Sequence, residues 1–277
     1  MATRSGESEK SERRAYGTGC YRRRIELRAG EGGAQGELGD DFHHFAVAIA
    51  HDGTRVTAVD GEPRRIPWTT CPGALAPLQA MKGAPLDGSI LDLTRHAPAK
   101  AQCTHLHDLT CLAVAHAGRA AAGGPGERRY DVSVPDRVER RAECRVEIDG
   151  REALRWSLEG LRVIGASDAD FEGQSIGSKP FRETLRSRAT PDEVEAAWIL
   201  QRAVFIGLGR QHDFDAMKTA REFADEVGGG CHAFAPERVD QGLRVLGNTH
   251  DFTEGPDEIL TRPPNAPGLA RPETGPR

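Results

Sequence analysis

The residues best suited to chemistry are cysteines and histidines between positions 69 and 111. Cys71 is followed by a proline, and Cys103 opens a segment that also carries His105, His107 and Asp108. Thiolate and neutral imidazole are ligands suited to zinc, iron and copper. Each cysteine precedes a predicted helix, where the partial positive charge of the first turn favours a thiolate. The pattern therefore predicts a metal site in this stretch.

Further donors lie elsewhere in the chain. His43 and His44 are neighbours in a predicted strand, so they point to opposite faces and at most one of them can join a given site; we expect His44 to be the ligand. Cys231-His232 could supply a distant ligand. A metal-free alternative stays open, in which Cys71 or Cys103 is a nucleophile activated by His105 or His107.

Composition limits the possible partners. The 277-residue chain carries a net charge of −5 with a pI near 6.1, which gives no general attraction to nucleic acid or to an anionic membrane. No apolar run approaches the ~18 residues of a membrane span, and residues 1–12 lack the apolar core of a signal peptide. We expect a cytoplasmic protein whose six cysteines stay reduced or bind metal.

The first half of the chain alternates between strand and helix patterns. Strands are predicted at Tyr21–Leu27, Phe42–Ala50 and Arg55–Asp60, with a glycine-rich loop at residues 29–36. One helix is predicted to begin at Cys71 and end near Lys82, and a longer one spans residues 104–121. A segment rich in alanine and glycine at 118–128 marks a boundary.

The second half begins with a predicted β-meander. Its strands are Tyr130–Val134, Cys144–Ile148 and Leu154–Leu158, each with alternating apolar residues. A capping box of Thr190 and Glu193 predicts a helix to about Gly207, and a second helix is predicted over residues 214–227.

These elements predict an α+β fold in two parts. Residues 19–122 form an antiparallel sheet with helices on one side, and residues 128–260 add the β-meander and a helical part packed on the first. Residues 1–18 and 261–277 are polar or proline-rich, which predicts disorder.

The whole chain resembles an uncharacterised bacterial family known as a domain of unknown function. The resemblance rests on four stretches: Asp40-Asp41-Phe42-His43-His44-Phe45, Trp68-Thr69-Thr70-Cys71-Pro72-Gly73-Ala74, Gln102-Cys103-Thr104-His105-Leu106 and Arg202-Ala203-Val204-Phe205-Ile206. It implies no activity.

Residues 36–117 are also similar to the iron–sulfur cluster assembly scaffold family. Gly39-Asp40-Asp41 falls where that family has Cys-Gly-Asp, while Cys71 and Cys103 fall on its second and third cysteines. The resemblance implies that Asp41, Cys71 and Cys103 hold a metal. The first cysteine is replaced by Gly39 and the family's histidine by Gln102, so a labile scaffold is not implied.

Together these observations predict a metal-dependent enzyme, a lyase or hydrolase, acting on a small organic substrate. Zinc or iron is the expected ion, with an iron–sulfur cluster as a further option. The expected metal ligands are Asp41, His44, Cys71 and Cys103, and the expected catalytic residues are His105, His107 and Asp108. Two alternatives remain open: a non-catalytic metal or iron–sulfur carrier, and a cofactor-free cysteine enzyme. The sequence does not determine the oligomeric state.

Overall fold

The fold is built on one sheet that runs through both halves of the chain. A computed structural model describes residues 15–98 and 101–261. Its sheet has eight strands in the order β4-β3-β2-β1-β5-β6-β7-β8, and all neighbouring pairs are antiparallel. The predicted α+β class is confirmed, and the likeness to the iron–sulfur scaffold stays a prediction.

Four strands come from the first half: β1 (Cys20–Gly30), β2 (Gly33–Asp40), β3 (His44–His51) and β4 (Val56–Arg65). The predicted glycine-rich loop at 29–36 is wrong, because most of it lies in β1 and β2, joined by a tight turn. Glycine has low strand propensity, yet pairing on both sides holds β2 in the sheet.

The second half adds the other four strands: β5 (Glu127–Pro135), β6 (Arg141–Ile148), β7 (Arg151–Glu159) and β8 (Arg162–Ala166). The predicted meander is confirmed, with β8 as an additional strand. Strand β5 pairs along nearly the whole of β1, from Cys20 opposite Pro135 to Arg28 opposite Glu127. The predicted boundary at 118–128 is therefore a connection between two parts of one sheet.

In the part of the chain that the structure describes, six α-helices accompany the sheet: α1 (Leu75–Leu78), α2 (Ile90–Leu93), α3 (Thr104–Ala121), α4 (Lys179–Arg186), α5 (Pro191–Gly207) and α6 (Ala224–Val227). The predicted helix from Cys71 is a succession of short 3-10 and α turns over residues 71–81. The predicted helix at 214–227 is likewise three separate turns.

The two long helices pack on the same side of the sheet and contact each other. Helix α3 packs against β1, β2 and β3, and α5 packs against β5, β6 and β7. They run antiparallel, since Arg119 near the end of α3 pairs with Glu195 near the start of α5, and Asp108 pairs with Arg202 at the opposite ends. Residues 105–117 of α3 are all buried. The sheet, α5 and the short helices therefore enclose α3.

The C-terminal segment crosses β2. A side chain at Gly39 would place its Cβ 2.5 Å from the Ile259 carbonyl oxygen, so only glycine permits this close approach. The predicted disordered ends fall largely on residues 1–14 and 262–277, which lie outside the described residues. Residues 15–18 form a turn whose Gly17 N–H donates to Asp136.

Candidate functional site

The site centres on the turn that joins β2 to β3. Asp40 ends β2, and one of its carboxylate oxygens accepts hydrogen bonds from the backbone N–H groups of Phe42 (2.9 Å) and His43 (2.8 Å). An aspartate that binds backbone two and three residues ahead stabilises a tight turn. Arg65 donates to the carbonyl oxygens of Asp40, Asp41 and His43. The turn is thus fixed from both sides.

The second oxygen of Asp40 faces two residues of β1. Tyr21 donates its hydroxyl at 2.8 Å and Arg23 donates its Nη2 at 2.8 Å. Arg23 lies directly opposite Asp40 in the β1–β2 pairing, which explains the contact. Asp40 is fully buried, and although burial raises its pKa, His43 and Arg23 hold that pKa well below the usual range. Asp40 is therefore ionised at neutral pH.

Two imidazoles complete the cluster. His43 Nδ1 lies 3.0 Å from Asp40 Oδ1, and because the carboxylate is ionised this nitrogen carries the proton and donates. The ring of His105, in the first turn of α3, stacks on His43 with centroids 3.8 Å apart. His105 Nε2 lies 3.7 Å from Asp40 Oδ2 and is buried without a hydrogen-bond partner.

These three residues have the geometry of a small cation site. One ligand atom from each of Asp40, His43 and His105 lies within 4.8 Å of the other two, and over residues 15–98 and 101–261 this is the one such group of three. Burial lowers the pKa of both histidines, that of His105 to well below its usual range, with the charge of Arg23 adding to the effect. Both rings are consequently neutral, as metal binding requires.

Asp108 lies one helical turn beyond His105 and belongs to the same neighbourhood. Its Oδ2 is 3.3 Å from Arg202 Nε on α5. Burial raises the pKa of Asp108 to about 6, against the opposing charges of Arg202 and Arg23. His107, also buried, has its Nε2 3.9 Å from Cys111 Sγ, and burial lowers its pKa to about 4. All three predicted catalytic residues are thus buried at the start of α3.

Asp41 and His44 lie apart from this cluster in separate ion-pair networks. Asp41 pairs with Arg210, which also contacts Asp136 and Asp251. His44 Nε2 is 2.7 Å from Glu37. Successive residues of an extended chain point in different directions. The structure therefore places Asp40 and His43 in the cluster, whereas Asp41 and His44 were predicted from the sequence.

Cys71 and Cys103 lie near each other in a different place. The segment around Cys231 lies between them, because the His232 N–H donates to the Gln102 carbonyl (2.9 Å) and the His232 ring lies against Gly73. Burial raises the pKa of Cys71 to about 12, and that of Cys103 is raised well above its usual range by burial and by Cys231 and Cys71. Burial outweighs the expected lowering at helix starts: at Cys103 the backbone N–H groups of His105 and Leu106 lower the pKa but do not offset burial, and Cys71 begins only a four-residue 3-10 turn. These thiols are protonated at neutral pH.

Sequence reasoning missed Asp40 and His43 as site residues. The doublets Asp40-Asp41 and His43-His44 contain the right residue types, but which member of each faces α3 depends on where β2 ends. The pairing of Arg23 with Asp40 could have provided a signal, since opposite charges face each other across neighbouring strands.

Two surface clefts lie elsewhere. One is lined by the distal end of β1 and the start of β5, including Leu27, Glu127 and Arg129, and the other by residues of the β6–β7 turn and the start of α5. Asp40 faces the opposite end of β1. We place the candidate site at the buried cluster, because the residues with displaced pKa values converge there.

Comparison with known proteins finds a match to a family whose function is unknown. No helix among the described residues is long and apolar enough to cross a bilayer. No curated protein matches the chain. Residues 26–117, which span β2, β3, β4 and the buried part of α3, match the model of the family described as "Protein of unknown function (DUF2889)", which supports the predicted resemblance to an uncharacterised family over that part of the chain.

Proposed function

We propose that this protein is a metal-dependent enzyme acting on a small organic substrate, with a zinc or iron ion held by Asp40, His43 and His105. The observation that carries the proposal is the convergence of these three ligand atoms within 4.8 Å. Two imidazoles and one carboxylate are a donor set found for catalytic zinc and for non-haem iron. Three protein ligands leave coordination positions open for substrate.

The charge states of the donors fit a divalent cation. Asp40 is ionised and both imidazoles are neutral. The buried His105 Nε2 has no hydrogen-bond partner, and in the tautomer in which this nitrogen carries the lone pair a cation would satisfy it. Arg23 opposes binding, because its guanidinium already neutralises Asp40. An ion would replace the proton that His43 shares with Asp40.

A bound ion of this kind would polarise a substrate oxygen or activate water. Tyr21, Arg23 and the β2–β3 turn orient the Asp40 carboxylate. Asp108, whose pKa of about 6 lies near neutrality, would exchange a proton with the substrate. This division of roles favours a lyase or hydrolase, and we place the enzyme in the cytoplasm, in keeping with free thiols at all six cysteines.

Metal content of untagged protein tests the proposal. We expect about one zinc or iron per chain, and we expect His43→Gln and His105→Gln to lower that content severely. His96→Gln is the matched control, because His96 is exposed in a different part of the chain. Full occupancy in both site variants would refute the assignment.

The same assay separates the proposed ligands from the thiols. Cys71→Ser and Cys103→Ser should keep their metal if the ion lies at Asp40. Loss of metal in the serine variants alone would instead favour the ligand set predicted from the sequence, and iron with sulfide would favour a cluster carrier.

A second candidate is metal-free acid–base catalysis by Asp40 and His43. The specific observation is their 3.0 Å hydrogen bond, which fixes the tautomer of His43 so that Nε2 can accept a proton. Activity that survives complete removal of metal by a chelator would select this candidate over the first.

A further inference from the structure

Arg202 on α5 lies next to the cluster and combines a cation with solvent access. Its side chain is 41% exposed, whereas the side chain of its partner Asp108 is 12% exposed. Arg202 Nε is itself buried and faces Asp108 without forming a hydrogen bond. The exposed surface therefore belongs to the rest of the side chain.

The guanidinium is held in place by an aromatic ring. Its Cζ lies 5.1 Å from the centroid of Trp198, one turn earlier on α5. A cation stacked on an indole loses little further freedom when it binds an anion. Within residues 15–98 and 101–261, no side-chain hydrogen bond uses its Nη1 or Nη2, the two nitrogens that match a carboxylate.

Arg202 is also close to the imidazoles of the site. Its charge contributes to lowering the pKa of His105 and of His107. Arg210, an arginine that contacts Asp41 beyond the β2–β3 turn, is unsuited to this role, since Asp41, Asp136 and Asp251 surround it. An anion bound at Arg202 would hold the remainder of a small molecule near His105.

We propose that Arg202 binds the carboxylate of a small organic acid and thereby positions it at the Asp40–His43–His105 cluster; the substrate class rests on the function proposed above. A single negative charge fits best, because Asp108 beside Arg202 repels a doubly charged phosphate more strongly.

Binding of pyruvate to metal-free protein tests this inference independently of the metal. The chain has three tryptophans, so the indole N–H resonance of Trp198 can be followed by NMR and assigned with Trp198→Phe. We expect a saturable shift of that resonance with pyruvate. Arg202→Met should weaken the affinity about tenfold or more, since a charge-assisted pair of hydrogen bonds is lost.

Two variants control for folding and for general charge. Arg202→Lys keeps the charge without the planar fork and should bind with intermediate affinity. Arg186→Met removes an exposed arginine of α4 and should bind like the wild type. Asp108→Asn should tighten pyruvate binding, because a competing negative charge is removed.

The outcomes are distinct. Equal pyruvate affinity in Arg202→Met and wild type, or absence of a saturable shift, overturns the inference. Tighter binding of inorganic phosphate than of pyruvate overturns the assignment to a carboxylate. Pyruvate binding that depends on Arg202 in a protein that never takes up zinc or iron would refute the metal-dependent function and leave the anion site standing.

Discussion

At the scale of single residues, Asp40 has two structural roles. Its carboxylate closes the β2–β3 turn and also forms a buried ion pair with Arg23, whose side chain is 4% exposed. Burying two charges costs solvation free energy, which a close pair with further hydrogen bonds offsets. The same carboxylate can ligate a cation only in competition with Arg23. Mutation of Arg23 can therefore separate the structural ion pair from cation binding.

Replacing Arg23 tests this competition. Arg23→Met should lower the free energy of unfolding by about 3 kcal/mol or more, since it leaves a buried charge without its partner. Added Zn²⁺ should raise the melting temperature of this variant more than that of the wild type, because the ion supplies the missing positive charge. Thermal unfolding with and without zinc measures both effects.

Arg28→Met is the control, since Arg28 lies on the same strand with an exposed side chain. It should respond to zinc as the wild type does. Equal zinc stabilisation of Arg23→Met and wild type would show that the cation binds elsewhere than at Asp40.

At the scale of elements, α3 is unusual in burying imidazoles around its first turn. Burial lowers the pKa of His107 to about 4. In the unfolded chain this histidine would take up a proton near pH 6.5, whereas the folded protein binds it only near pH 4. The unfolded state therefore holds more protons in this window, and the folded protein should lose stability as the pH falls from about 6.5 towards 4.

His107→Gln should remove its share of this acid sensitivity. Linkage gives a contribution of about 2 kcal/mol at pH 5 relative to pH 8 from His107 alone. Urea unfolding at both pH values measures the difference, with the exposed His96→Gln as control. The same pH dependence in His107→Gln and wild type would contradict the burial of a neutral imidazole at this position.

The elements also show what the sequence could determine. Helix α3 was predicted at its observed bounds, because a long run of helix-forming residues lies between Cys103 and a glycine-rich segment, and the capping box of Thr190 and Glu193 is confirmed at the start of α5. Strand β2 was missed because its glycines carry no alternating pattern, and only pairing with β1 and β3 defines it.

The candidate site was predicted less completely than the fold, because its geometry also depends on contacts between strands. The sequence indicated the β2–β3 region and the start of α3 as its two components. Which histidine of the pair 43–44 faces α3 depends on the turn that Asp40 and Arg65 hold, and Arg65 comes from the edge strand β4, 22 residues after His43 in the chain. Contacts of this kind depend on tertiary structure and have no local signature.

At the scale of the whole molecule, both halves have the same order of elements, a four-stranded meander followed by a long helix on the sheet. They meet where β1 pairs with β5. On the helix side, Glu195 of α5 accepts hydrogen bonds from Arg119 of α3 and from Tyr130 of β5. Separating the halves would expose two strand edges and leave Glu195 without its ion pair to Arg119.

This continuity predicts one cooperative unfolding transition. Trp68 lies in the first half, Trp156 in β7 and Trp198 in α5, so 5-fluorotryptophan gives one ¹⁹F signal for each region. All three folded signals should disappear at one urea concentration, because neither half can keep its edge strand paired alone. Glu195→Gln should lower that midpoint for the three signals together, since it weakens the contact with Arg119. Loss of the Trp156 signal at a distinctly lower urea concentration than the Trp68 signal would show that the halves unfold independently, and that the cluster at Asp40 needs only the first of them.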